Sequence, residues 1–500
     1  MSTKIIKKRE VRYKEYEQNI TIDLPVLLSD YVKTNVLVQI VDNLVEGLSL
    51  ERFSVYYSEK GCPAYHPKMM LKVWIYGYCT GVYTSRPLAK QLRENLCFLW
   101  LSGGRRPCFK TLCDFRSKRM KGMLDEFFKE VLVYLVMNEY VDLDKLYTDG
   151  TKVEANNNKY KIVWRKNIER YKLWVEQRVD KLLEEITVLQ LAEDLKYGNK
   201  DLESESRNEK IQFELNSESL QNCVNRLNEV SKSEEDKTKQ KKINRLSKKM
   251  LKEAEKLSKY EKQEALLGGR NSYSKTDIDA TGLRMKDDLL RSGYNVEHSV
   301  SEQYITNVTV HQTASDSVTL IEHLEKQKER VEGLVEENWQ PSVGADAGYG
   351  SEENYEYLEE KGITPFVKYP SWYADQSGKT AKKLYHKDNW VYDEATDKFT
   401  CPNNKKLSFI EEREKITTNG FKQLLRIYQC KSCKKCPFFK ECRGEKADLQ
   451  SNRTIQINRN LERHKQKVKE LLETPEGIES RKQRGYQVET PFANIKHNMR

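Results

Sequence analysis

Residues 146–152 read Leu-Tyr-Thr-Asp-Gly-Thr-Lys, a short apolar and β-prone run that ends at Asp149 and is followed by glycine. Residues 343–350 read Val-Gly-Ala-Asp-Ala-Gly-Tyr-Gly and show a similar pattern around Asp346. Each segment predicts a strand with an aspartate at its carboxyl end, which is the edge where open α/β sheets bind their ligands. Either aspartate taken alone would be interpreted as an ordinary turn former.

A third acidic residue, Glu489, lies in a C-terminal segment that is predicted to be helical. Carboxylates so far apart in sequence act together only if folding gathers them. If it does, Asp149, Asp346 and Glu489 supply the oxygen ligands that two Mg²⁺ ions prefer. Two such ions activate a nucleophilic oxygen and stabilise the leaving oxygen in phosphoryl transfer. These three acids are therefore the candidate catalytic and metal-binding residues.

Basic residues lie within about one to two helical turns of Glu489 if that segment is helical throughout. They are Arg481, Arg484 and Lys496. We predict that they bind phosphates of a DNA strand, most clearly Arg484 and Lys496. The alternative is a surface pairing with Glu476 or Glu479, which contributes little to stability.

From residue 141 onwards the pattern runs strand, large insertion, two strands, helix, strand, helix, strand. Such alternation predicts an α/β fold with a mixed sheet flanked by helices. The predicted domains are an all-helical N-terminal DNA-binding domain at 1–140, the first parts of the catalytic core at 141–160 and 270–370, a long helical, coiled-coil-like insertion at 161–269, a small Cys-rich insertion at 371–450 and the C-terminal part of the core at 451–500.

The chain of 500 residues is 33% charged and only 38% hydrophobic, so some long element is expected to be solvated nearly all round. Its net charge of +11 permits a polyanionic partner. The N-terminus lacks the apolar stretch of a signal peptide, and no apolar run is long enough to span a bilayer. We therefore expect a cytoplasmic protein whose cysteines are thiols or metal ligands.

A basic turn in the N-terminal region contains Arg105 and Arg106 between two predicted helices. Short helices with a basic turn fit a DNA-binding module. They fit equally well an all-helical packing domain with ordinary surface charges.

Five cysteines cluster late in the sequence, and their close spacing is typical of a structural zinc site. They are Cys401, Cys430, Cys433, Cys436 and Cys442. We predict Cys401, Cys433, Cys436 and Cys442 as the zinc ligands, with Cys430 as a substitute. The alternative is a small packed loop of reduced cysteines.

As a set, these motifs resemble those of bacterial insertion-sequence transposases of the DDE type. The matching segments are residues 147–156 for the first-aspartate block, 284–288 with 293–296 for the block that follows, 345–355 for the second-aspartate block, 488–496 with its Glu-x6-Lys spacing for the glutamate block, and 65–72 with 100–104 for the helical N-terminal domain. The cysteine segment also has a counterpart in that group.

The resemblance implies a ribonuclease H-like catalytic core whose triad is Asp149, Asp346 and Glu489, binding Mg²⁺ or Mn²⁺. It implies cleavage of DNA at terminal inverted repeats and joining of the freed 3′ hydroxyl to target DNA. The N-terminal domain would recognise the repeat ends. We expect a homodimer when the protein is assembled on DNA, and no membrane partner.

Two features depart from the family pattern. Many relatives carry Tyr-x2-Arg-x3-Glu-x6-Lys, whereas here Arg484 stands five residues before Glu489 and Arg481 takes the tyrosine-like place. The sequence also ends at Arg500, about three helical turns after Glu489, where relatives usually continue. Two alternatives stay open: a metal-dependent DNA nuclease on the same core, and a truncated, non-catalytic DNA-binding repressor of the element.

Overall fold

The computed structural model describes residues 28–48, 57, 64–158, 161–188, 215–417, 419–434, 436–444, 447–448 and 451–495. The chain divides into two compact units, Met1–Asn138 with Asn494–Arg500, and Glu139–Ala493. In the described ranges, no helix combines the length and the apolar character that crossing a membrane requires.

The first unit is helical where it is described, as the sequence predicted. Its helices are α1 (Leu28–Val32), α2 (Val36–Gly47), α3 (Pro67–Cys79), α4 (Ser85–Glu94), α5 (Leu96–Leu101), α6 (Phe109–Phe115) and α7 (Lys121–Met137). Trp74 is fully buried in their shared core, and its indole N–H donates to the Leu112 carbonyl at 3.2 Å. The Arg116 guanidinium lies 4.9 Å from the Trp74 ring centroid, a cation–π contact that ties α3 to the region after α6.

The second unit is built on a mixed sheet. Its strands are β1 (Lys145–Glu154), β4 (Thr281–Arg284), β5 (Leu290–Ser301), β6 (Tyr304–His311), β7 (Ser342–Ala345) and β8 (Thr364–Val367), with the short β2 (Ile162–Trp164) and β3 (Ser272–Ser274) pairing apart from it. The main strands lie in the order β4-β5-β1-β7-β8, and β6 also pairs with β5. Strand β5 pairs antiparallel with β4, β6 and β1, whereas β1, β7 and β8 are parallel. This arrangement confirms the predicted ribonuclease H-like mixed sheet.

Strand β1 is longer than the sequence indicated. The prediction that Asp149 ends its strand is wrong, because β1 continues to Glu154 in antiparallel pairing with β5, where Asp149 faces His298. The parallel pairing with β7 stops earlier, at Tyr147 opposite Gly344. Asp149 therefore lies just beyond the parallel part of the sheet, although it is inside a strand.

The insertion after β2 forms a three-helix arm in its described part. Its helices are α8 (Arg165–Val188), α9 (Ser217–Ser233) and α10 (Lys237–Leu267). They share an apolar core that includes Val179, Leu227 and Met250. Asn216 and Asp236 cap the starts of α9 and α10 through their side-chain oxygens.

The cysteine-rich insertion contains a five-stranded antiparallel sheet. Its strands are β9 (Val391–Asp393), β10 (Lys398–Thr400), β11 (Lys406–Ile416), β12 (Lys422–Cys430) and β13 (Thr454–Ile457), in the order β13-β12-β11-β10-β9. Strand β13 pairs with β12 and is followed by the helix Arg459–Glu473. The helix begins only after Asn458, whose side chain caps it.

Most of the remaining helices pack on the main sheet. The set comprises α11 (Leu320–Val331), α12 (Glu352–Glu360), α13 (Trp372–Gln376), α14 (Phe439–Arg443) of the cysteine-rich insertion, α15 (Arg459–Glu473) and α16 (Pro475–Ala493). Helix α16 packs against β1 and β7 and against α15. Its close approach to α15 requires Gly477, where an added Cβ would lie 2.2 Å from the Leu471 carbonyl oxygen and 2.7 Å from the Leu472 Cα.

We predict that Gly477→Ala lowers the free energy of unfolding by about 1–3 kcal/mol, because the new methyl group meets backbone that cannot yield. Gly485→Ala is the matched control on the same helix, since its nearest contact is the Glu489 Oε1 atom at 3.9 Å. This control should be neutral or stabilising, because alanine favours helix over glycine. Urea unfolding of both variants tests the packing, and equal destabilisation would contradict it.

Candidate functional site

Two of the predicted acids, Asp149 and Asp346, share one cationic partner. The Arg484 Nη2 atom donates to Asp149 Oδ1 at 2.9 Å and lies 3.9 Å from Asp346 Oδ2. The Arg484 and Asp149 side chains are only 18% and 23% exposed. Folding therefore places these two carboxylates, which are 197 positions apart in sequence, on either side of one positive charge.

The register of the sheet explains this meeting. Tyr147 pairs with Gly344 in the parallel β1–β7 ladder, so Asp149 and Asp346 each lie two residues beyond the last pair. Asp346 is held by its own turn, because its Oδ1 accepts from the Gly348 N–H at 2.7 Å. Both carboxylates consequently sit at the same level of the sheet.

Helix α16 supplies the arginine. Its buried positions include Gly477, Ser480, Gln487 and Val488. Arg484 lies between these positions at helical spacing and therefore points toward the sheet. Its Nε atom is buried and has no hydrogen-bond partner among the described residues, so the pairing with Asp149 leaves the guanidinium partly unsatisfied.

The electrostatics of Asp149 favour a cation. Burial raises the pKa of Asp149 to about 6, the Arg484 charge opposes the rise, and the Asp346 charge adds to it. A buried carboxylate next to a second carboxylate gains when a positive charge lies between them. Oxygen donors of this kind fit a hard divalent ion such as Mg²⁺.

Sequence reasoning missed a buried carboxylate beside this pair, that of Glu297 on β5. It is fully buried and pairs in register with Gly150, where an added Cβ would lie 2.9 Å from Glu297 Oε1. Glu297 accepts hydrogen bonds from the Tyr349 hydroxyl and, at 2.9 Å, from the Thr319 hydroxyl. Burial raises the pKa of Glu297 to about 7.

Asp316, in a short turn before α11, is a further acid at this edge. Its Oδ1 accepts from the Asn295 amide at 2.7 Å, and the same amide donates to Glu297 Oε1 at 3.2 Å. Its Oδ2 would lie 3.4 Å from a Cβ at Gly348, beside Asp346. The sequence signal for this network is the alternation of polar residues 295, 297 and 299 along a strand, which a solvated face would also explain.

Other predicted site residues are placed differently. Glu489 is exposed on α16, and its side chain lies over Gly485 rather than against Asp149 or Asp346. Arg481 stacks on Trp372 with 5.3 Å from its guanidinium carbon to the ring centroid. Lys496 lies outside the described residues.

Arg105 and Arg106 are exposed in the turn between α5 and α6 of the first unit. Gly103 and Gly104 form that turn with φ angles of 55° and 73°, a backbone region that favours glycine. The two arginines therefore project from a defined turn.

The five clustered cysteines come together in the second insertion. Cys430 belongs to its apolar core, and Cys401, Cys433 and Cys442 pack against that core. The Cys433 sulfur accepts from the Arg453 N–H at 3.2 Å, and the Cys436 sulfur accepts from the Asn403 amide at 3.4 Å. Thiols that accept N–H donors suit a zinc-binding loop, since such donors stabilise sulfur ligands.

Neither cluster is arranged as a finished metal site. Within the described ranges, no three side chains of His, Cys, Asp or Glu are positioned to hold a metal ion. The donor types fit nonetheless, hard oxygens at the sheet edge and soft sulfurs in the insertion. At the sheet edge, the Arg484 guanidinium lies between the two carboxylates, where a metal ion would bind.

We predict that Glu297 makes the protein less stable as pH rises. Its folded pKa of about 7 lies above the ordinary value of 4.5, so the folded state holds the proton more tightly. Stability from this group is present below about pH 4.5 and is lost by about pH 7, a change of about 3 kcal/mol. The raised pKa of Asp149 likewise makes the protein less stable as pH rises.

Glu297→Gln should flatten the fall in unfolding temperature between pH 4.5 and pH 7, because one of the groups that titrate in this range is gone. Glu329→Gln, an exposed position on α11, is the control and should keep the wild-type slope. The same steep slope in Glu297→Gln and wild type would show that Glu297 does not titrate in this range.

Comparisons with known proteins match two parts of the chain. Residues 26–118 match the profile of a Transposase domain (DUF772), and residues 400–500 match that of a Transposase DDE domain. The second match contains α16 and the five clustered cysteines. No curated protein and no solved structure matches the chain. The two transposase-domain matches confirm the family predicted from the motifs, the insertion-sequence transposases of the DDE type.

Proposed function

We propose that this DNA transposase cleaves at the terminal inverted repeats of an insertion sequence and joins the 3′ ends to target DNA. The observation that supports it best is the meeting of Asp149 and Asp346 around one cationic nitrogen. Two carboxylates from adjacent parallel strands form an oxygen-rich edge for divalent ions and phosphate.

The reaction consists of two balanced displacements at phosphorus. In the first, water attacks the phosphodiester at the element end and the 3′ oxygen leaves with a proton. In the second, the freed 3′ hydroxyl attacks a target phosphodiester, and the target's own 3′ hydroxyl leaves. Bound at Asp149, Asp346 and Glu489, Mg²⁺ or Mn²⁺ would supply charge stabilisation of both oxygens.

Arg484 has two roles in this proposal. Its guanidinium offsets the charge of Asp149. Arg484 would share that oxygen with any cation bound at Asp149, and its guanidinium would then be free to bind a phosphate, as Arg481 and Lys496 are proposed to do. The buried, unpartnered Nε of Arg484 supports this exchange, since a phosphate would supply the missing acceptor.

Glu489 is proposed as the third carboxylate. It lies on the same helix as Arg484, and that helix packs on the strands of both aspartates. Its side chain is exposed. Arg105 and Arg106 in the first unit are proposed to bind the repeat ends, with two protomers assembled on DNA.

We predict that Asp149→Asn reduces strand cleavage at least about 100-fold while leaving DNA affinity unchanged, because it removes a negative ligand and no phosphate-binding charge. The assay is cleavage and joining of a repeat-end duplex with Mg²⁺. Asp144→Asn is the control, since that carboxylate is exposed five residues earlier.

Cleavage and joining by Asp149→Asn at the wild-type rate would overturn the metal assignment. Glu489→Gln should be as impaired as Asp149→Asn. If Glu489→Gln stays active and Asp316→Asn does not, the third carboxylate is Asp316. Cleavage without joining by the wild type would identify a nuclease instead.

The cysteine-rich insertion is proposed to hold one structural zinc ion through Cys401, Cys433, Cys436 and Cys442. All four are partly exposed, and Cys401, Cys433 and Cys442 pack against the small apolar core that contains Cys430. A sheet with so few buried side chains gains stability from a metal cross-link.

We predict that purified protein contains about one zinc per chain and that Cys433→Ser loses it and unfolds at a lower temperature. Cys223→Ser is the control, because Cys223 is buried in the core of the arm. Metal analysis by mass spectrometry measures both variants. Wild-type protein free of zinc, refolded with zinc present, would contradict the assignment.

A further inference from the structure

The distal half of α10 carries a one-sided positive surface. Residues 237–252 contain basic residues but no acidic one. Five of the basic residues lie within an arc of about 80°, at the ~100° per residue of an α-helix. These five form the basic stripe, Lys237, Lys241, Arg245, Lys248 and Lys252, and all five are exposed.

The basic stripe lies opposite the buried face of α10. The buried face contains Ile243, Leu246 and Met250, which pack in the core of the arm. The arm is thus folded without any contribution from the stripe, which is available to a partner.

Among the described residues, the basic stripe lacks the ion-pair partners that neighbouring lysines have. Off the stripe, Lys249 pairs with Glu185 at 3.3 Å and Lys256 with Glu253 at 2.7 Å. Over the part of the chain that the structure describes, no carboxylate lies within ion-pair distance of any stripe residue.

The spacing of the basic stripe opposes helix formation. Lys237 and Lys241, and then Lys241 and Arg245, are like charges four residues apart, which destabilise a helix. Lys248 and Lys252 repeat the arrangement. Binding of an external anion would relieve this repulsion.

We propose that the basic stripe of α10 is a docking surface for the phosphate backbone of duplex DNA, which would extend the DNA interface of the transposase onto its arm. The inference rests on the proposed function for the presence of DNA. The stripe is about 23 Å long at 1.5 Å per residue. Duplex DNA presents one negative charge about every 1.7 Å along its axis, so a straight cationic row of this length meets several phosphates.

The test is a triple charge reversal, Lys241→Glu with Arg245→Glu and Lys248→Glu, measured by fluorescence anisotropy on a labelled duplex of random sequence. At about 0.1 M salt we expect affinity to fall about tenfold or more. The salt slope should decrease by about three, because three side chains no longer bind phosphates. The unfolding temperature should stay the same or rise, because repulsion along the helix is removed.

The matched control reverses three exposed lysines elsewhere on the arm, Lys166, Lys181 and Lys232. This control changes the net charge by the same amount. If both triple variants weaken DNA binding equally, the effect comes from overall charge and the proposal is wrong. A second variant with glutamine at positions 241, 245 and 248 should lose affinity in the same direction.

Cleavage of a repeat-end duplex is measured in parallel. If the wild type cleaves and joins but the stripe variant binds random duplex with wild-type affinity, the proposed docking role of the stripe is wrong and the proposed function stands. If the wild type neither binds duplex nor cleaves, both fail. A changed oligomeric state with unchanged DNA binding would assign the stripe to a second copy of the chain and overturn the proposal.

Discussion

The site depends on a strand register. One parallel pair, Tyr147 opposite Gly344, places Asp149 and Asp346 at the same level of the sheet. A shift of the register by one residue would turn one of the two side chains to the other face. The aspartates thus owe their meeting to the hydrogen-bonded ladder between β1 and β7.

The same edge concentrates more negative than positive charge. Asp149, Asp346, Asp316 and Glu297 contribute carboxyl groups, whereas Arg484 is the cation that the structure pairs with Asp149 and Asp346. Burial raises the pKa values of Asp149 and Glu297, which shows that their charged forms are disfavoured as the side chains stand. A site in which carboxylates lie close together favours cation binding, because a bound cation offsets the unfavourable free energy of their charged forms.

The sequence predicted the parts of this site that depend on local patterns. The runs before Asp149 and Asp346 are short, apolar and β-prone, and they became neighbouring strands of the predicted sheet. The length of β1 was missed because antiparallel pairing with β5 extends it beyond the apolar run. The Arg484 ion pair was missed because it depends on how α16 docks, and an arginine on an amphipathic helix usually points to solvent. Glu297 was missed because alternating polar residues on a strand ordinarily mark an exposed face.

The acidic edge and the basic stripe follow one physical principle with opposite signs. In each, like charges stand close together on a rigid element, and at the sheet edge Arg484 offsets only part of the charge. The stripe has no such internal counter-charge among the described residues, and it lies on a helix whose other face is fixed in an apolar core. A nucleic acid with bound divalent ions carries both complements, phosphates for the stripe and cations for the carboxylates. If both proposals hold, a single partner would recover the stability that the second unit loses to repulsion in the two places.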